Sequence, residues 1–524
     1  MSKQALDLPE DVEALKAYID AQAKAHRAQL AQRDNQIAGL KEQIQLLLAN
    51  RFGPSSEKVD DAQLGLFNEA EVEAVVEPDA QTVTVPAHER KRGKRKPLPA
   101  HLDRVDVIHD VAEVDKVCPH HGVALEHFGE DTSEQFEIIP ATLRVLVHKR
   151  LKYRCPCCEG HLVRAPMPPQ PIPKSIASPG LLAYIVVSKY LDALPLYRQE
   201  QMFARLGVDL SRATMATWVI RMGELVQPLI NLLHEQLMGL SYLHMDETTL
   251  QVLKEPGKAP ESKSYLWCQV STERPIVLFH YDPGRGSAVA NRLLGGFQGT
   301  LHVDGYAGYS AAVRNQGLNR LYCMNHARRK FVDAIKAQGL NPNKLPDRPP
   351  TKARHALRAV QFFKTLYTIE RRIKDKPPDE RLAVRQRDSI PVLEQFKAWA
   401  DKLHPKVTQS GKLGQALAYL LNHWSGLVRY CEDGHFDIDN NIAERAIRPF
   451  CVGRRNWLFA NSQAGARASA NLYSLVQSAK ANGLEPYAYL KLLFTEMPKA
   501  ETVEDIEALL PDRINGADPK PARS

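Results

Sequence analysis

The sequence contains no long apolar run, and none of its hydrophobic stretches approaches the roughly 18 to 20 residues that a membrane-spanning helix requires. The segment from Met1 to Asp11 also lacks the apolar core of a secretory signal peptide. We therefore expect a cytoplasmic protein without a membrane partner. Charge of one sign is not dominant, because 69 basic residues stand against 61 acidic ones and leave a net charge of +8. This mild excess is compatible with a polyanionic partner but does not require one.

The cysteines do not form the pattern of a disulfide framework. Four of the eight lie close together along the chain, at Cys118, Cys155, Cys157 and Cys158. Cys118 with His121, and Cys155 with Cys158, form pairs separated by two residues, and this spacing lets both side chains of a pair reach one tetrahedral Zn²⁺. We predict one structural zinc with these four ligands. His120 and Cys157 remain alternative ligands, and buried thiols without metal are the alternative to a zinc site.

Residues 11–50 contain no proline and only one glycine, which favours a long helix. Within them Leu30, Ile37 and Ile44 recur every seventh residue, and Leu40 and Leu47 follow two of them after three residues. This pattern is typical of the apolar seam of a coiled coil that pairs two copies of the chain. The alternative is an amphipathic helix that packs on its own domain.

Two segments of the sequence have the composition of linkers. Residues 166–179 contain six prolines, a density that is incompatible with a helix or a central strand. Residues 53–100 include a basic run with Arg92, Lys94 and Arg95. Such a run is usually solvated, but beside the nucleic-acid features described below it is expected to contact DNA phosphates.

From Leu181 to about residue 240 the apolar residues follow helical spacing. A helix over 197–206, a turn at Gly207 and a second helix capped by Ser211 predict a helix-turn-helix, with Arg212 at the start of the second helix. An ordinary helical hairpin is the alternative.

The pattern then changes to short apolar runs that are typical of strands. The predicted strands are 243–245, 265–270, 276–280, 300–303 and 320–324, with helices over 286–294 and 309–315. The predicted order is three strands followed by a helix, a strand, a helix and a strand. This is the order of a ribonuclease-H-like α/β fold, in which the first and fourth strands are neighbours. Residues 326 to about 425 read as a basic helical insertion, and a last helix of the core carries Glu444.

Asp246 and Asp304 follow the first and fourth of these strands, and Glu444 lies on the late helix. Carboxylates suit Mg²⁺, and two such ions about 3.5–4 Å apart can hold the attacking and leaving oxygens of a phosphodiester. We therefore predict that Asp246, Asp304 and Glu444 bind two Mg²⁺ (or Mn²⁺) ions, with Asp246 as the bridging ligand. Glu247 is excluded because alternation along a strand sends it to the opposite face.

The sequence resembles the DDE transposases of the insertion sequence 66 family. The segments that carry the resemblance are His244–Thr248, Tyr281–Pro283, Asp304–Tyr309, Cys323–Phe331, Asp439–Pro449 and Gly453–Phe459. The resemblance implies that Asp246, Asp304 and Glu444 are the catalytic triad. It also implies two Cys-x₂-Cys pairs at the zinc, so His121 stands where a cysteine is expected.

Basic residues flank the predicted triad, and with the triad accepted they are expected to bind DNA phosphates or the scissile group. They are His326, Arg328, Arg329, Arg445, Arg448, Arg454 and Arg455. Trp457 and Phe459 either stack on an exposed base or pack in the core. His244 and His302 precede the aspartates by two residues and are expected to support them or pack in the core.

The predicted function is a DNA transposase that binds the terminal inverted repeats of its element, cleaves DNA and joins the freed 3′-hydroxyl to target DNA. A homodimer or higher oligomer and small accessory proteins are the expected partners. The alternatives are a structure-specific nuclease without strand transfer and a DNA-binding protein with an inactive core. The predicted division is a coiled coil (1–52), a basic linker (53–100), a zinc module (101–165), a proline-rich linker (166–180), a helix-turn-helix region (181–240), the core in two parts (241–335 and 431–475) around the helical insertion (336–430), and a C-terminal helical element with its tail (476–524).

Overall fold

The computed structural model describes residues 11–52, scattered positions between 104 and 151, and residues 152–154, 162–342 and 350–514. The basic run of the linker and the predicted zinc ligands lie outside the described residues, namely Arg92, Lys94, Arg95, Cys118, His121, Cys155, Cys157 and Cys158. The chain divides into two units, residues 60–151 and the remainder. None of the helices that the structure describes is both long and apolar enough to cross a membrane.

The N-terminal segment forms one long helix, α1 (Val12–Phe52), as the scarcity of proline and glycine predicts. The side chains of the predicted seam, Leu30, Ile37, Leu40, Ile44 and Leu47, are all exposed. One side chain of this helix is an exception, because the carboxylate of Glu42 is buried against the helical insertion. It accepts hydrogen bonds from the backbone nitrogen of Lys412 and from Lys352 Nζ, both at 2.9 Å.

A short hairpin of β1 (Lys152–Arg154) and β2 (Leu162–Arg164) precedes four helices. These are α2 (Pro179–Tyr190), α3 (Leu196–Arg205), α4 (Arg212–Leu225) and α5 (Gln227–Met238). The two predicted helices and the turn between them are present: Gly207 has a positive φ of 78°, and Ser211 Oγ accepts a hydrogen bond from the nitrogen of Thr214 at 3.2 Å. Arg212 is exposed at the start of α4, while Met215, Trp218 and their neighbours on the inner face join the core of the sheet.

The strands form one mixed sheet with the order β5-β4-β3-β6-β7. Its elements are β3 (Tyr242–Lys254), β4 (Lys263–Ser271), β5 (Ile276–Asp282), α6 (Ser287–Leu293), β6 (Thr300–Val303), α7 (Tyr309–Gln316) and β7 (Asn319–Tyr322). The strands β3, β4 and β5 are antiparallel, whereas β6 runs parallel to β3 and β7 parallel to β6. The predicted neighbourhood of the first and fourth strands is therefore confirmed.

The first strand is longer than the sequence pattern predicted. It continues past Asp246 to Lys254, because β4 pairs with it from His244 to Gln251 and the short strand β8 (Ala460–Ser462) pairs with its far end. Asp246 consequently lies within a strand, and the expectation that this strand ends at Asp246 was wrong. Only Asp304 directly follows the end of its strand.

The helical insertion has a hydrophobic core of its own, built around Phe331, Phe363, Phe396 and Leu417. Its elements are α8 (Met324–Lys336), α9 (Thr351–Ile373), α10 (Pro378–Val384), a π-helical turn (Arg385–Ser389), α11 (Ile390–Leu403), α12 (Lys412–Asn422) and α13 (Trp424–Val428). This confirms the helical character predicted for the stretch between the last strand and the late helix.

The chain returns to the sheet through α14 (Asn441–Trp457), β8 and the helix α15 (Gln463–Ala481). Two serines of α15 cover the open edge of β5: Ser474 Oγ accepts from the nitrogen of Phe279 at 2.7 Å, and Ser478 Oγ accepts from that of Val277 at 3.0 Å. These bonds occupy backbone groups that an uncovered edge strand would offer to another chain. The last elements are α16 (Pro486–Glu496) and α17 (Val503–Glu507).

Candidate active site

The parallel pairing of β3 with β6 places two aspartates side by side. The register joins His244 to His302, and each aspartate follows its histidine by two residues. Asp246 and Asp304 therefore lie on neighbouring strands at the same level of the sheet, where both side chains are partly buried. The two histidines are fully buried, and their rings stack with centroids 4.9 Å apart. They support the strands from inside the core, as expected.

The loop after β6 is held in a fixed conformation around Asp304. Asp304 Oδ1 accepts a hydrogen bond from the nitrogen of Tyr306 at 2.9 Å. The buried guanidinium of Arg320 donates to the carbonyl oxygens of Asp304 at 2.8 Å and Tyr306 at 2.7 Å. A side chain at Gly305 has no room, because its Cβ would come within 2.5 Å of the Tyr419 ring on α12. The helical insertion thus packs directly against the aspartate loop.

Asn440 brings the late helix to the sheet. Although it immediately precedes α14, its side chain is 1 % exposed and lies between secondary-structure elements that are far apart in sequence. Its Nδ2 donates to the carbonyl of Met245 at 2.8 Å, and its Oδ1 lies 2.9 Å from His244 Nδ1. Its backbone nitrogen donates to Cys323 Sγ at 3.2 Å. These contacts fix the first turn of α14, which carries Glu444, next to the strand of Asp246.

Glu444 faces the start of α8. Its carboxylate oxygens lie 3.6 Å from His326 Nδ1 and 3.8 Å from Arg329 Nη2. Cys323 Sγ joins them, so that ligand atoms of Cys323, His326 and Glu444 all lie within 4.8 Å of one another. Within the described part of the chain, the buried atoms His326 Nδ1 and Glu444 Oε1 have no hydrogen-bond partner. Two buried polar atoms that face each other without a proton donor between them are suited to a cation.

The electrostatics of the aspartates lead to the same conclusion. Burial raises the pKa of Asp246 to about 8, and the nearby carboxylates of Glu247, Glu444 and Asp304 add to the rise. Burial and like charges both disfavour an ionised carboxyl group, and a bound cation reverses both effects. Burial also lowers the pKa of His326, against the opposing charge of Glu444, which favours a neutral imidazole there. The residues present therefore fit a site for divalent metal.

Glu247 lies on the other face of β3, as strand alternation predicts. Its side chain is almost completely buried and accepts hydrogen bonds from Arg285 Nε at 2.7 Å and from the hydroxyl of Tyr309. Arg285 also lies over the ring of Tyr306, with its guanidinium carbon 3.9 Å from the ring centroid. This network, which the sequence analysis did not predict, ties α7 and the aspartate loop to the back of β3.

The basic residues near the three carboxylates lie in three different environments. His326 and Arg329 turn towards Glu444, and Arg328 is half-buried on the same helix. The arginines at 445, 448 and 455 are exposed along α14. Arg454 differs, because its guanidinium is half-buried and donates to the carbonyl and the hydroxyl of Thr249 on β3. Arg454 therefore lies in the contact between α14 and the sheet, and this position differs from the phosphate-binding role that its charge predicts.

Models of known protein families match most of the sequence. A model of the transposase IS66 family matches residues 174–468, and a model of the IS66 C-terminal element matches 474–511. The zinc-finger binding domain of transposase IS66 matches residues 115–159. A model described as transposase C of IS166 homeodomain matches residues 39–107. A zinc-finger domain followed by a DDE transposase domain defines the class, and the protein is a transposase.

Within that class, the chain belongs to the IS66 transposase family, whose model covers more than half of its length. It is similar to two uncharacterized proteins of Sinorhizobium fredii, y4jD and y4qI, at 33% identity to each. The first similarity covers 98% of both chains, and the second covers 96% of this chain and 97% of the relative. A third relative from the same organism, y4hP, is 31% identical over 89% of this chain and 83% of its own.

Proposed function

We propose that the protein cleaves DNA at the ends of its insertion sequence and joins the freed 3′-hydroxyl ends to target DNA, with Asp246, Asp304 and Glu444 as the catalytic residues. The observation that carries the proposal is the geometry of these carboxylates. Two leave neighbouring parallel strands at one level, and the third lies on a helix that Asn440 fastens to the same strand. The strand order and this placement support a ribonuclease-H-like core.

Asp246, Asp304 and Glu444 would hold two Mg²⁺ or Mn²⁺ ions, which when bound lower the pKa of a coordinated water and stabilise the charge that develops on the phosphodiester. The protein contributes orientation. His326 and Arg329 lie beside the carboxylate of Glu444 at ion-pair distance, and Arg320 holds the loop of Asp304 through two hydrogen bonds. Water would cleave one strand and leave a free 3′-hydroxyl, and that hydroxyl would then displace a 3′-oxygen in the target strand.

Other parts of the chain support binding to DNA and assembly of two protomers. The exposed arginines of α14 begin one residue after Glu444 and offer bidentate contacts to phosphates. The exposed face of α4, with Arg212, suits a DNA groove, and the basic run and the zinc module would add contacts to the terminal repeats. The exposed apolar seam of α1 favours a coiled-coil dimer, which suits a reaction on two element ends. Small accessory proteins encoded by the same element are proposed as further partners.

The test is an assay with labelled terminal-repeat DNA, a target plasmid and Mg²⁺ or Mn²⁺. We expect cleaved ends and joined donor–target products, both of which disappear with a chelator. Replacing a residue that hydrogen-bonds to a metal ligand lowers activity or metal affinity by about 10–100-fold. Asp246 would be a ligand itself, so Asp246→Asn should reduce cleavage by at least about 100-fold while DNA affinity changes little. The matched control Asp401→Asn, at an exposed position on α11, should cleave normally.

The outcomes separate the possible functions. Cleavage without joined products would indicate a nuclease, and DNA binding without cleavage would indicate a binding protein with an inactive core. Full cleavage by Asp246→Asn would remove that residue from the proposed site.

A further inference from the structure

The turn that follows α14 has an unusual backbone. Leu458 has φ 65° and ψ −52°, and the nitrogen of Phe459 donates to the carbonyl of Trp457 at 2.8 Å. A hydrogen bond between residues two apart, with positive φ at the residue between them, defines a γ-turn of the rare and strained kind. Leucine is poorly suited to this conformation, which glycine adopts more readily.

Contacts on both sides of the turn hold it in this conformation. On one side, the nitrogen of Leu458 donates to the carbonyl of Arg454 at 2.7 Å and closes the helix. Trp457 packs against Phe450, with ring centroids 5.3 Å apart. On the other side, Ala460 pairs with Val252 at the end of β3. Strain that the surrounding structure maintains in this way clusters at active sites, ligand clamps and switch regions.

The turn directs two apolar side chains into solvent. Leu458 is 62% exposed and Phe459 is 41% exposed, although Trp457 beside them is half-buried. This exposure does not stabilise the isolated protein, because apolar side chains are more stable when they are buried away from water. Core packing therefore accounts for Trp457 but not for Leu458 and Phe459.

The charge around the turn points to one kind of ligand. The exposed face of α14 carries Arg445, Arg448 and Arg455 at spacings that align on one side of a helix, with Val452 between them. Glu444 is the one acidic residue of α14 and lies on this face one turn before Arg448, and the stripe covers about 15 Å from Arg445 to Arg455 at 1.5 Å per residue. The stripe thus begins beside Glu444 and ends at the apolar turn. Such a surface is complementary to a phosphate backbone, with an apolar group where a base would lie.

We infer that Leu458 and Phe459 form a wedge that stacks against a nucleobase of the element's terminal DNA and separates it from its neighbour. The inference rests on the proposed function, since the DNA that reaches Glu444 is the DNA that would meet the wedge. Apolar wedges inserted between base steps partly unstack them, and aromatic side chains stack on bases of any sequence. The wedge would hold the duplex in a distorted conformation about 20 Å along α14 from the carboxylates, at 1.5 Å per residue.

The test uses full-length protein and terminal-repeat DNA in which 2-aminopurine replaces one base at a time. For the wild-type protein we expect a fluorescence rise at one or two adjacent positions, because unstacking relieves quenching of this base. Phe459→Ala should abolish the rise and weaken binding roughly tenfold, within the range of a lost stacking contact. Leu492→Ala, at an exposed leucine of α16, is the matched control and should behave like the wild-type protein.

The salt dependence of binding separates a wedge from a phosphate contact. Each lost phosphate contact reduces the slope of log affinity against log salt concentration by about 0.9. Phe459→Ala should leave that slope unchanged. Arg455→Gln should reduce the slope by about 0.9, the value for one lost phosphate contact. The wedge is overturned if Phe459→Ala keeps the wild-type fluorescence and affinity, or if it changes the oligomeric state, which would make the patch a protein interface.

If the wild-type protein cleaves this DNA without unstacking any base, the wedge fails while the proposed function stands. If it does not bind this DNA at all, both fail.

Discussion

Replacing Asn440 by alanine would remove the side-chain contacts that join α14 to the sheet. The side chain is buried, and its loss leaves the Met245 carbonyl and His244 Nδ1 without their partner. Each buried polar group that loses its partner costs about 1–3 kcal/mol. Because the asparagine amide no longer has to be buried, we expect a net loss of about 2–4 kcal/mol, a large part of the 5–15 kcal/mol that stabilises a typical domain.

The assay for this prediction is urea denaturation followed by tryptophan fluorescence, with Asn231→Ala as the control. Asn231 is exposed on α5 and accepts one bond from Gln227, so its replacement should change the free energy of unfolding by less than about 0.5 kcal/mol. DNA cleavage by the folded Asn440→Ala protein should also fall, because Glu444 follows Asn440 by one helical turn. An unfolding midpoint for Asn440→Ala equal to that of Asn231→Ala would refute this account of the junction.

Three further predictions concern parts of the chain outside the active site. Glu42→Ala should lower the free energy of unfolding by about 1–2 kcal/mol, because the backbone nitrogen of Lys412 at the start of α12 loses the carboxylate that caps it. The control Glu13→Ala, at an exposed position of α1, should have little effect. Equal effects of the two replacements would show that Glu42 does not anchor α1 to the insertion. Leu458→Gly should raise stability by about 1 kcal/mol in the same assay, since relief of about 1–3 kcal/mol of strain exceeds the entropy cost of glycine; a loss of stability would show that the turn is not strained. Elemental analysis of the full-length protein should find one zinc per chain that Cys118→Ser loses, and retention of the metal would exclude Cys118 as a ligand.

The local structure was predictable where the sequence has short-range signals. The helices at 196–205 and 212–225 begin and end where Gly207 and Ser211 predict, because a glycine with positive φ and a serine cap act within one turn. The pairing of β3 with β6 followed from the order of strands and helices. The length of β3 did not, because its second half is stabilised by β4 and by β8, which follows it by about two hundred residues of chain.

The placement of Asp246 and Asp304 on neighbouring strands was predictable, but the contacts that assemble the candidate site were not. Residue type and position after apolar runs marked Asp246 and Asp304. The role of Asn440 depends on hydrogen bonds to β3 and to Cys323, and no local pattern specifies such long-range partners. Arg454 was assigned to phosphate because of its charge and its neighbours. Its bond to Thr249 could be found only once α14 was placed along β3.

The helical insertion takes part in the assembly of the site. The insertion leaves the sheet at β7 and returns at α14, and Cys323 and Asn440, at its two ends, are joined by a hydrogen bond. This hydrogen bond closes the insertion at its base, one helical turn before Glu444. The same closure places His326 beside Glu444, and Tyr419 of the insertion fills the space over Gly305 beside Asp304. The insertion thus contacts both sides of the carboxylate site, and a change in its packing would reach Asp304 and Glu444 before the rest of the sheet.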